Sequence, residues 1–210
     1  MRRIATGIAA ASVTALALGA AVPAFAADGT NPLAAVLTSD DNQFDLNSKD
    51  FDIVTEAALA VLAAKPNSAV GLLTKGDVAL TAFVPNDQAF RLLVKDLTGK
   101  NVKSERKVFQ AVAGLGIDTV ETVLLYHVVS GATIPASVAV TADKVGLGTG
   151  TGDTFTVQVR KGGKLIKLSD RDYNSRNPRV IATDVNEGNK QIAHVIDRVL
   201  RPLDLPPVEK

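Results

Sequence analysis

The sequence has 210 residues, with 23 lysine and arginine side chains, 22 aspartate and glutamate side chains, and no cysteine. A near-neutral chain gains little from phosphate backbones, and this argues against a nucleic-acid partner. The missing cysteine excludes disulfides, thiolate nucleophiles, cysteine-ligated metals and the lipid attachment of a bacterial lipoprotein, so the fold must rely on its core.

Residues 1–26 have the three parts of an export signal. Arg2 and Arg3 give a positive start, residues 4–22 are uncharged and apolar or small, and Ala24-Phe25-Ala26 offers a small-x-small cleavage site. The stretch is rich in alanine and glycine and is weakly apolar for a permanent membrane span, which favours cleavage over retention. The arginine pair is also a feature of twin-arginine export signals, but no further part of such a signal follows. General secretion is therefore the favoured route. We therefore predict a secreted protein, free in the extracellular space or associated with the cell wall.

The first half of the mature sequence predicts mainly helices. Residues 27–49 read as a mixed N-terminal arm, and we expect much of it to lie along the domain surface. A helix over residues 51–64 can start at Asp50, whose carboxylate accepts free N–H groups, and it stops before Pro66. Residues 78–84 read as a short buried strand.

Three more helices follow this strand in the prediction. Asn86 or Asp87 caps the first, and Gly99 ends it. The second covers residues 104–113. Asp118 and Glu121 have the spacing of a capping box at the start of the third.

The second half changes to a strand-like period. Residues 154–159 alternate apolar and polar, and Gly162-Gly163 joins them to residues 165–168 as a hairpin. Residues 180–185 and 191–200 form a second pair. The alternating glycines of residues 146–152 read as a flexible connection, since no Gly-Lys-Ser/Thr phosphate loop follows them.

The class is therefore α+β, with helices first and antiparallel strands after them. We predict a signal peptide over residues 1–26, the arm over 27–49, one domain over 50–204, and a C-terminal tail over 205–210.

Three segments together resemble the fasciclin (FAS1) domain family. Residues 81–90 read TAFVPNDQAF, similar to the family's first signature segment, and residues 124–131 read LLYHVVSG, similar to its Tyr-His region. Residues 192–202 read IAHVIDRVLRP, similar to its second signature segment. Their order and separation cover about residues 30–204. The sequence departs from the family pattern in one place. The family often has Asn-Gly just before the second signature, whereas residues 188–191 here read GNKQ, so we expect a different turn.

The resemblance implies a wedge of antiparallel β-sheets flanked by several α-helices. It also implies extracellular or cell-surface interaction, often called cell adhesion, and it marks Tyr126 and His127 as a candidate binding pair. Both residues lie between Leu125 and Val128, which indicates burial and a structural role.

The residues themselves do not suggest catalysis. His127 and His194 each lie in an apolar run, where a buried histidine with both ring nitrogens satisfied is the commoner case. Neither has a second histidine or a carboxylate four residues away, so we predict no metal site and no cofactor. No serine lies in a Gly-x-Ser-x-Gly turn, and Asp40-Asp41 is better interpreted as a solvated turn than as a catalytic pair.

One surface feature is a concentration of basic residues on the first hairpin and the loop after it. The candidate binding residues in the loop are Arg171, Tyr173, Arg176 and Arg179. Functionally they could bind an acidic wall polymer or a protein, although a solvated outer face of the hairpin would have the same composition.

We therefore predict a non-catalytic interaction domain whose partner is an extracellular protein or a wall or matrix polysaccharide. A carrier of a small apolar ligand is the alternative and requires an apolar cavity. A secreted hydrolase would require an open cleft beside His127 or His194.

Overall fold

The computed structural model describes residues 28–39 and 41–204, so the predicted signal peptide and C-terminal tail lie outside the described residues. Helices α1 to α6 span Leu33–Leu37, Asp52–Ala64, Asp87–Thr98, Glu105–Ala113, Ile117–Tyr126 and Ala136–Ala139, and a 3₁₀ helix spans Ala69–Thr74. Strands β1 to β7 span Leu80–Pro85, Val128–Ser130, Gly146–Gly148, Thr154–Arg160, Leu165–Ser169, Val180–Val185 and Gln191–Ile196.

The strands form two sheets, one of four strands in the order β2-β1-β7-β6 and one of three in the order β3-β4-β5. The predicted hairpin β4–β5 and the pair β6–β7 are antiparallel, as expected. However, β1 and β7 pair in parallel, with Leu80 opposite Gln191 and Pro85 opposite Ile196. Helices and strands separate these two strands along the chain, and no hairpin forces them to run in opposite directions.

The two central strands β1 and β7 are buried at every position. One face of the four-stranded sheet packs on the helices through Leu80, Ala82 and Val84. Its other face packs on the three-stranded sheet, where Phe83 meets Phe155 edge to face at 5.1 Å between ring centroids. The sheet is therefore the middle layer of the core.

The start of α3 agrees with the prediction, whereas the starts of α2 and α5 do not. Asn86 caps α3 as expected by accepting from the Ala89 N–H at 3.0 Å, and Gly99 ends this helix at φ 70°. For α2, the Ile53 N–H donates to Asp87 at 3.0 Å, not to the expected acceptor Asp50. The prediction of a capping box at the start of α5 is wrong, because Gly116 is the N-cap of this helix and no side chain caps it.

The carboxylates assigned to that capping box have another partner. Asp118 and Glu121 both bind the Lys65 ammonium, which follows the end of α2. The pairing joins α5 to the C-terminal end of α2, where a lysine also suits the helix dipole.

Part of the N-terminal arm belongs to the core and not to the surface. Leu33 and Leu37 of α1 are buried, and the Leu33 N–H donates to the Gln191 side chain at 2.9 Å. The same glutamine amide donates to the carbonyls of Leu72 and Lys75. This buried side chain therefore joins α1 and the 3₁₀ helix to β7. A single glutamine in the sequence does not indicate such a role.

The glycine-rich segment is also more ordered than predicted. Residues 146–148 form β3 beside β4, with Leu147 buried opposite Phe155. The Gly150 N–H then donates to the carbonyls of Leu125 and Val128. A Cβ atom at Gly150 would lie 3.0 Å from the Leu125 carbonyl oxygen, so this close approach favours glycine.

Within the described part of the chain, no individual helix is long and apolar enough to cross a membrane. The pair α4 and α5 reaches that length and apolarity only when taken together across a bend of 105°.

Candidate interaction surface

Tyr126 and His127 lie at the end of α5 and are both buried. The Tyr126 hydroxyl donates to the Thr154 carbonyl at 3.0 Å, and its ring stands edge-on to Phe155. Burial raises the pKa of Tyr126 well above its ordinary value. Tyr126 therefore joins α5 to the three-stranded sheet, and both residues of the pair are almost wholly shielded from solvent.

Both nitrogens of His127 are engaged by backbone groups. Nδ1 lies 2.7 Å from the Val123 carbonyl, and Nε2 accepts the Leu200 N–H at 2.9 Å. Because a carbonyl can only accept, Nδ1 carries the proton and the ring is neutral. Burial lowers the pKa of His127 to about 4.

His194 on β7 has the same kind of surroundings. Nε2 lies 2.8 Å from the Ile134 carbonyl and donates to it, while Nδ1 accepts the Asp184 N–H at 3.4 Å. The expectation of two buried, satisfied histidines is confirmed. Both ring nitrogens of each histidine are engaged by backbone groups, and both residues are buried, which leaves neither ring placed to take a serine proton.

Two of the three arginines of the basic loop form ion pairs with carboxylates. Arg171 pairs with Asp153 on the loop before β4, and Arg176 pairs with Asp197 at 2.8 Å. The backbone N–H of Arg179 donates to the other oxygen of Asp197 at 2.7 Å, and its side chain is half-buried. These pairings offset much of the loop's positive charge, so the loop is less cationic than the sequence suggests.

A buried ion cluster holds the loop to the end of the fold. The Arg201 guanidinium contacts Asp172 at 2.6 Å and Asp96 at 2.5 Å, and Arg198 contacts Asp96 at 3.0 Å. The Arg201 N–H donates to Asp170 at 2.9 Å, and burial raises the pKa of Asp170 to about 6. The loop is therefore fixed at Asp170 and Asp172, on either side of Arg171.

Tyr173, which follows Asp172, projects from this anchored loop with 85% of its surface exposed. Asp204 holds the backbone there by accepting from the N–H of Tyr173 at 3.2 Å and from the side chain of Asn174 at 2.8 Å. Leu203, which precedes Asp204, is 63% exposed. An exposed aromatic and an exposed aliphatic side chain thus lie on two segments that Asp204 joins by hydrogen bonds.

An apolar groove continues from Leu203 between α3, α5 and the C-terminal segment. It encloses a cavity of about 290 Å³, and its apolar lining includes Leu93, Leu97, Leu115, Val123, Val199 and Leu203. We call the combination of this groove with Tyr173 the Tyr173 face. Tyr173 was among the residues predicted from the sequence, whereas Leu203 and the groove were not, because the apolar residues of the groove come from three separate segments.

Comparisons with known proteins agree with this architecture. The model of the fasciclin domain family matches residues 55–202. The chain is similar to a solved FAS1 domain pair from the insect cell adhesion molecule Fasciclin I, with a TM-score of 0.53 and 17% sequence identity. That alignment covers 87% of this chain and 52% of the domain pair, so the chain spans about half of the pair's length. No curated protein matches the sequence.

Proposed function

Because this chain belongs to the fasciclin domain family, known as adhesion and interaction modules, we propose that it is a non-catalytic domain that binds an extracellular protein. The observation that carries the proposal is the exposure of Tyr173 and Leu203 on anchored backbone beside the apolar groove. Tyrosine is enriched at protein interfaces, and large exposed apolar patches mark sites of association. The insect adhesion molecule supports the fold alone and does not identify a partner for this chain.

The charge of the surface favours a protein over an acidic polymer. Arg171 and Arg176 each face a carboxylate, so a polyanion would have to compete with Asp153 and Asp197 for them. A protein would instead cover Tyr173 and Leu203 and place its own apolar side chain in the groove. The paired arginines then lie at the polar rim, where charged contacts contribute to specificity more than to affinity.

We expect the double substitution Tyr173→Ala with Leu203→Ala to weaken partner binding about tenfold or more, as truncation of central aromatic and aliphatic contacts does. The mature domain, immobilised, is used to isolate its partner from culture supernatant and cell wall, and titration then measures the affinity of each variant. Tyr173→Phe is the matched control and retains most of the affinity. Tyr126→Phe, which removes a buried hydroxyl, leaves binding unchanged where the variant is folded.

Two results would count against the Tyr173 face. One is normal binding by the double variant together with lost binding by folded Tyr126→Phe, which would move the site to the Tyr-His region. The other is a partner that resists protease and is released by moderate salt, which would identify an acidic polysaccharide.

A small apolar ligand is the second candidate, favoured by the volume and lining of the groove. Thr119 lines this groove from α5 and is exposed, so Thr119→Phe would fill the cavity without altering the loop. If neutral apolar compounds raise the melting temperature of the wild type and of Thr119→Phe equally, the groove does not carry them.

The proposal includes export and loss of residues 1–26. We expect the mature N-terminus at Ala27 or within a residue or two of it, as the position of Ala24-Phe25-Ala26 indicates. Intact mass measurement of protein from the culture medium checks this. Recovery of the uncleaved chain from membranes would contradict secretion.

A further inference from the structure

The hairpin of β4 and β5 carries positive charge and no acidic side chain of its own. Residues 154–169 contain four basic side chains and no acidic one, and the basic ones are Arg160, Lys161, Lys164 and Lys167. Lys161 and Lys164 lie in the turn between the two strands and are exposed. Lys144 adds an exposed cation beside the hairpin, because its backbone N–H donates to the Val157 carbonyl at 2.8 Å.

Strand pairing places Lys167 on the outer face of the three-stranded sheet. Val157 of β4 and Leu168 of β5 lie opposite each other and are buried in the core. Successive residues of a strand point to opposite faces of the sheet. The neighbouring pair, Gln158 and Lys167, therefore faces away from the core.

A second cation lies directly opposite Lys167. Arg179 pairs with it in an antiparallel bridge. Opposite residues of such a pair have Cβ atoms about 4.5–5.5 Å apart on the same face, where like charges repel each other. The Arg179 Nε is buried and has no hydrogen-bond partner among the described residues. Solubility alone does not require two cations to oppose each other, whereas an anion bound beside them would offset the repulsion.

Within the described part of the chain, little of this positive charge is neutralised. Arg160 pairs with Asp143 at 3.2 Å. None of the other basic residues forms an ion pair with a described carboxylate, and we call these five the hairpin surface: Lys144, Lys161, Lys164, Lys167 and Arg179. The two paired arginines of the basic loop already face carboxylates, so the hairpin surface has more charge available for an anionic partner.

The neutral groups around the hairpin surface select the kind of anion. Thr156 and Ser169 oppose each other on the same face as Gln158, and their hydroxyl and amide groups can both donate to and accept from sugar hydroxyls. On β3, Gly146 lies opposite Thr156 and has no side chain, which leaves this face open to a flat ligand. A membrane is a poorer partner, because proteins of the membrane interface insert apolar side chains, and no described residue from 141 to 169 is a large exposed hydrophobic one.

We propose that the hairpin surface binds a linear acidic polysaccharide, an activity beyond protein binding at the Tyr173 face. The carboxylates of the polymer contact Lys161 and Lys164 at the turn and the Lys167–Arg179 pair farther along β5, while its hydroxyls meet the polar outer face. Lys164 and Lys167 are separated by about 10 Å of extended chain. The cations therefore follow a line, which suits a chain with repeated charges better than a compact anion.

The hairpin surface is separate from the Tyr173 face. The ion pair of Arg171 with Asp153 fixes the basic loop beside the start of β4, whereas the turn follows Arg160 at the other end of this strand. A strand of seven residues is about 20 Å long. Substitutions on either surface should therefore leave binding at the other intact, and the two proposals can fail independently.

The test uses the full chain and polygalacturonate, a linear polymer of a uronic acid. The wild type should bind it at low ionic strength, and the affinity should fall as salt screens the charges. The triple substitution Lys161→Gln, Lys164→Gln and Lys167→Gln should weaken binding about tenfold or more, because three charge-assisted contacts are lost. Titration measures the affinities once melting temperatures show that each variant is folded.

The matched control is the triple substitution Lys100→Gln, Lys103→Gln and Lys107→Gln. It removes the same number of charges from exposed residues around the start of α4, in the helical layer and across the four-stranded sheet from the hairpin. This variant should keep the affinity for polygalacturonate. The double substitution Tyr173→Ala with Leu203→Ala should also keep it.

The proposal is overturned if the wild type does not bind polygalacturonate, if the hairpin variant binds it like the wild type, or if the control variant loses as much affinity. In the last case net charge alone would explain the binding. Equal affinity for poly-L-glutamate would overturn the assignment to a polysaccharide, because that polymer offers the charges without the sugar hydroxyls. Hairpin-dependent binding to phosphatidylglycerol vesicles, without binding to polygalacturonate, would assign the surface to a membrane instead.

Discussion

Replacing Arg201 by methionine is expected to lower the free energy of unfolding by about 3–5 kcal/mol, the usual cost of removing one partner of a buried ion pair. Arg201 is 6% exposed, and the Asp172 side chain that it contacts at 2.6 Å is fully buried. Methionine retains much of the apolar volume but leaves the Asp172 carboxylate without a counter-ion. Urea denaturation of both proteins at pH 7 measures the change.

Two further variants separate this cost from simple loss of packing. Adding Asp172→Asn to Arg201→Met removes the unpaired negative charge and should recover part of the lost free energy of unfolding. Arg176→Met breaks the more exposed pair with Asp197 and should cost about 1 kcal/mol or less. Equal destabilisation by Arg201→Met and Arg176→Met would contradict the assignment of Arg201 as the buried anchor of the loop.

His194→Ala is the second large effect, with an expected destabilisation of about 1–3 kcal/mol at pH 7. The substitution leaves the Ile134 carbonyl without its donor and opens a space beside the Phe83 ring, whose centroid lies 5.5 Å from that of the imidazole. Denaturant melts of the wild type and the variant measure the difference.

The same difference should shrink at pH 5. Burial lowers the pKa of His194 in the folded protein below its ordinary value of 6.5, so the unfolded chain takes up the proton first as the pH falls. The contribution of the neutral imidazole is therefore complete above about pH 6.5 and is lost progressively below it. A destabilisation of equal size at pH 7 and pH 5 would contradict this account, and no destabilisation at pH 7 would mean that the ring is not buried in solution.

The ion cluster connects stability to the proposed function. Arg201 fixes Asp170 and Asp172 on one side of Tyr173, and Asp204 fixes the backbone of Tyr173 itself. A preorganised loop loses less conformational entropy when it binds. Variants at Arg201 should therefore weaken partner binding as well as folding, whereas Tyr173→Ala should affect binding alone.

The sequence by itself determined the features that depend on near neighbours in the chain. The apolar run around His194 predicted a buried strand with a satisfied histidine, and Asn86 and Gly99 marked the ends of α3. Three motifs in order predicted the family, which the match over residues 55–202 confirms. These predictions succeed because side-chain period, capping and backbone freedom act over a few residues.

Only the tertiary structure decided which distant groups meet. Asp87 accepts the N–H of Ile53 in the first turn of α2, 34 residues before it, and Arg176 pairs with Asp197, 21 residues after it. The groove likewise requires α3, α5 and the C-terminal segment to lie side by side. Charge and apolar surface along the sequence show which side chains need partners, but packing of the core decides which partners come within reach, because the free energy of burial does not depend on separation along the chain.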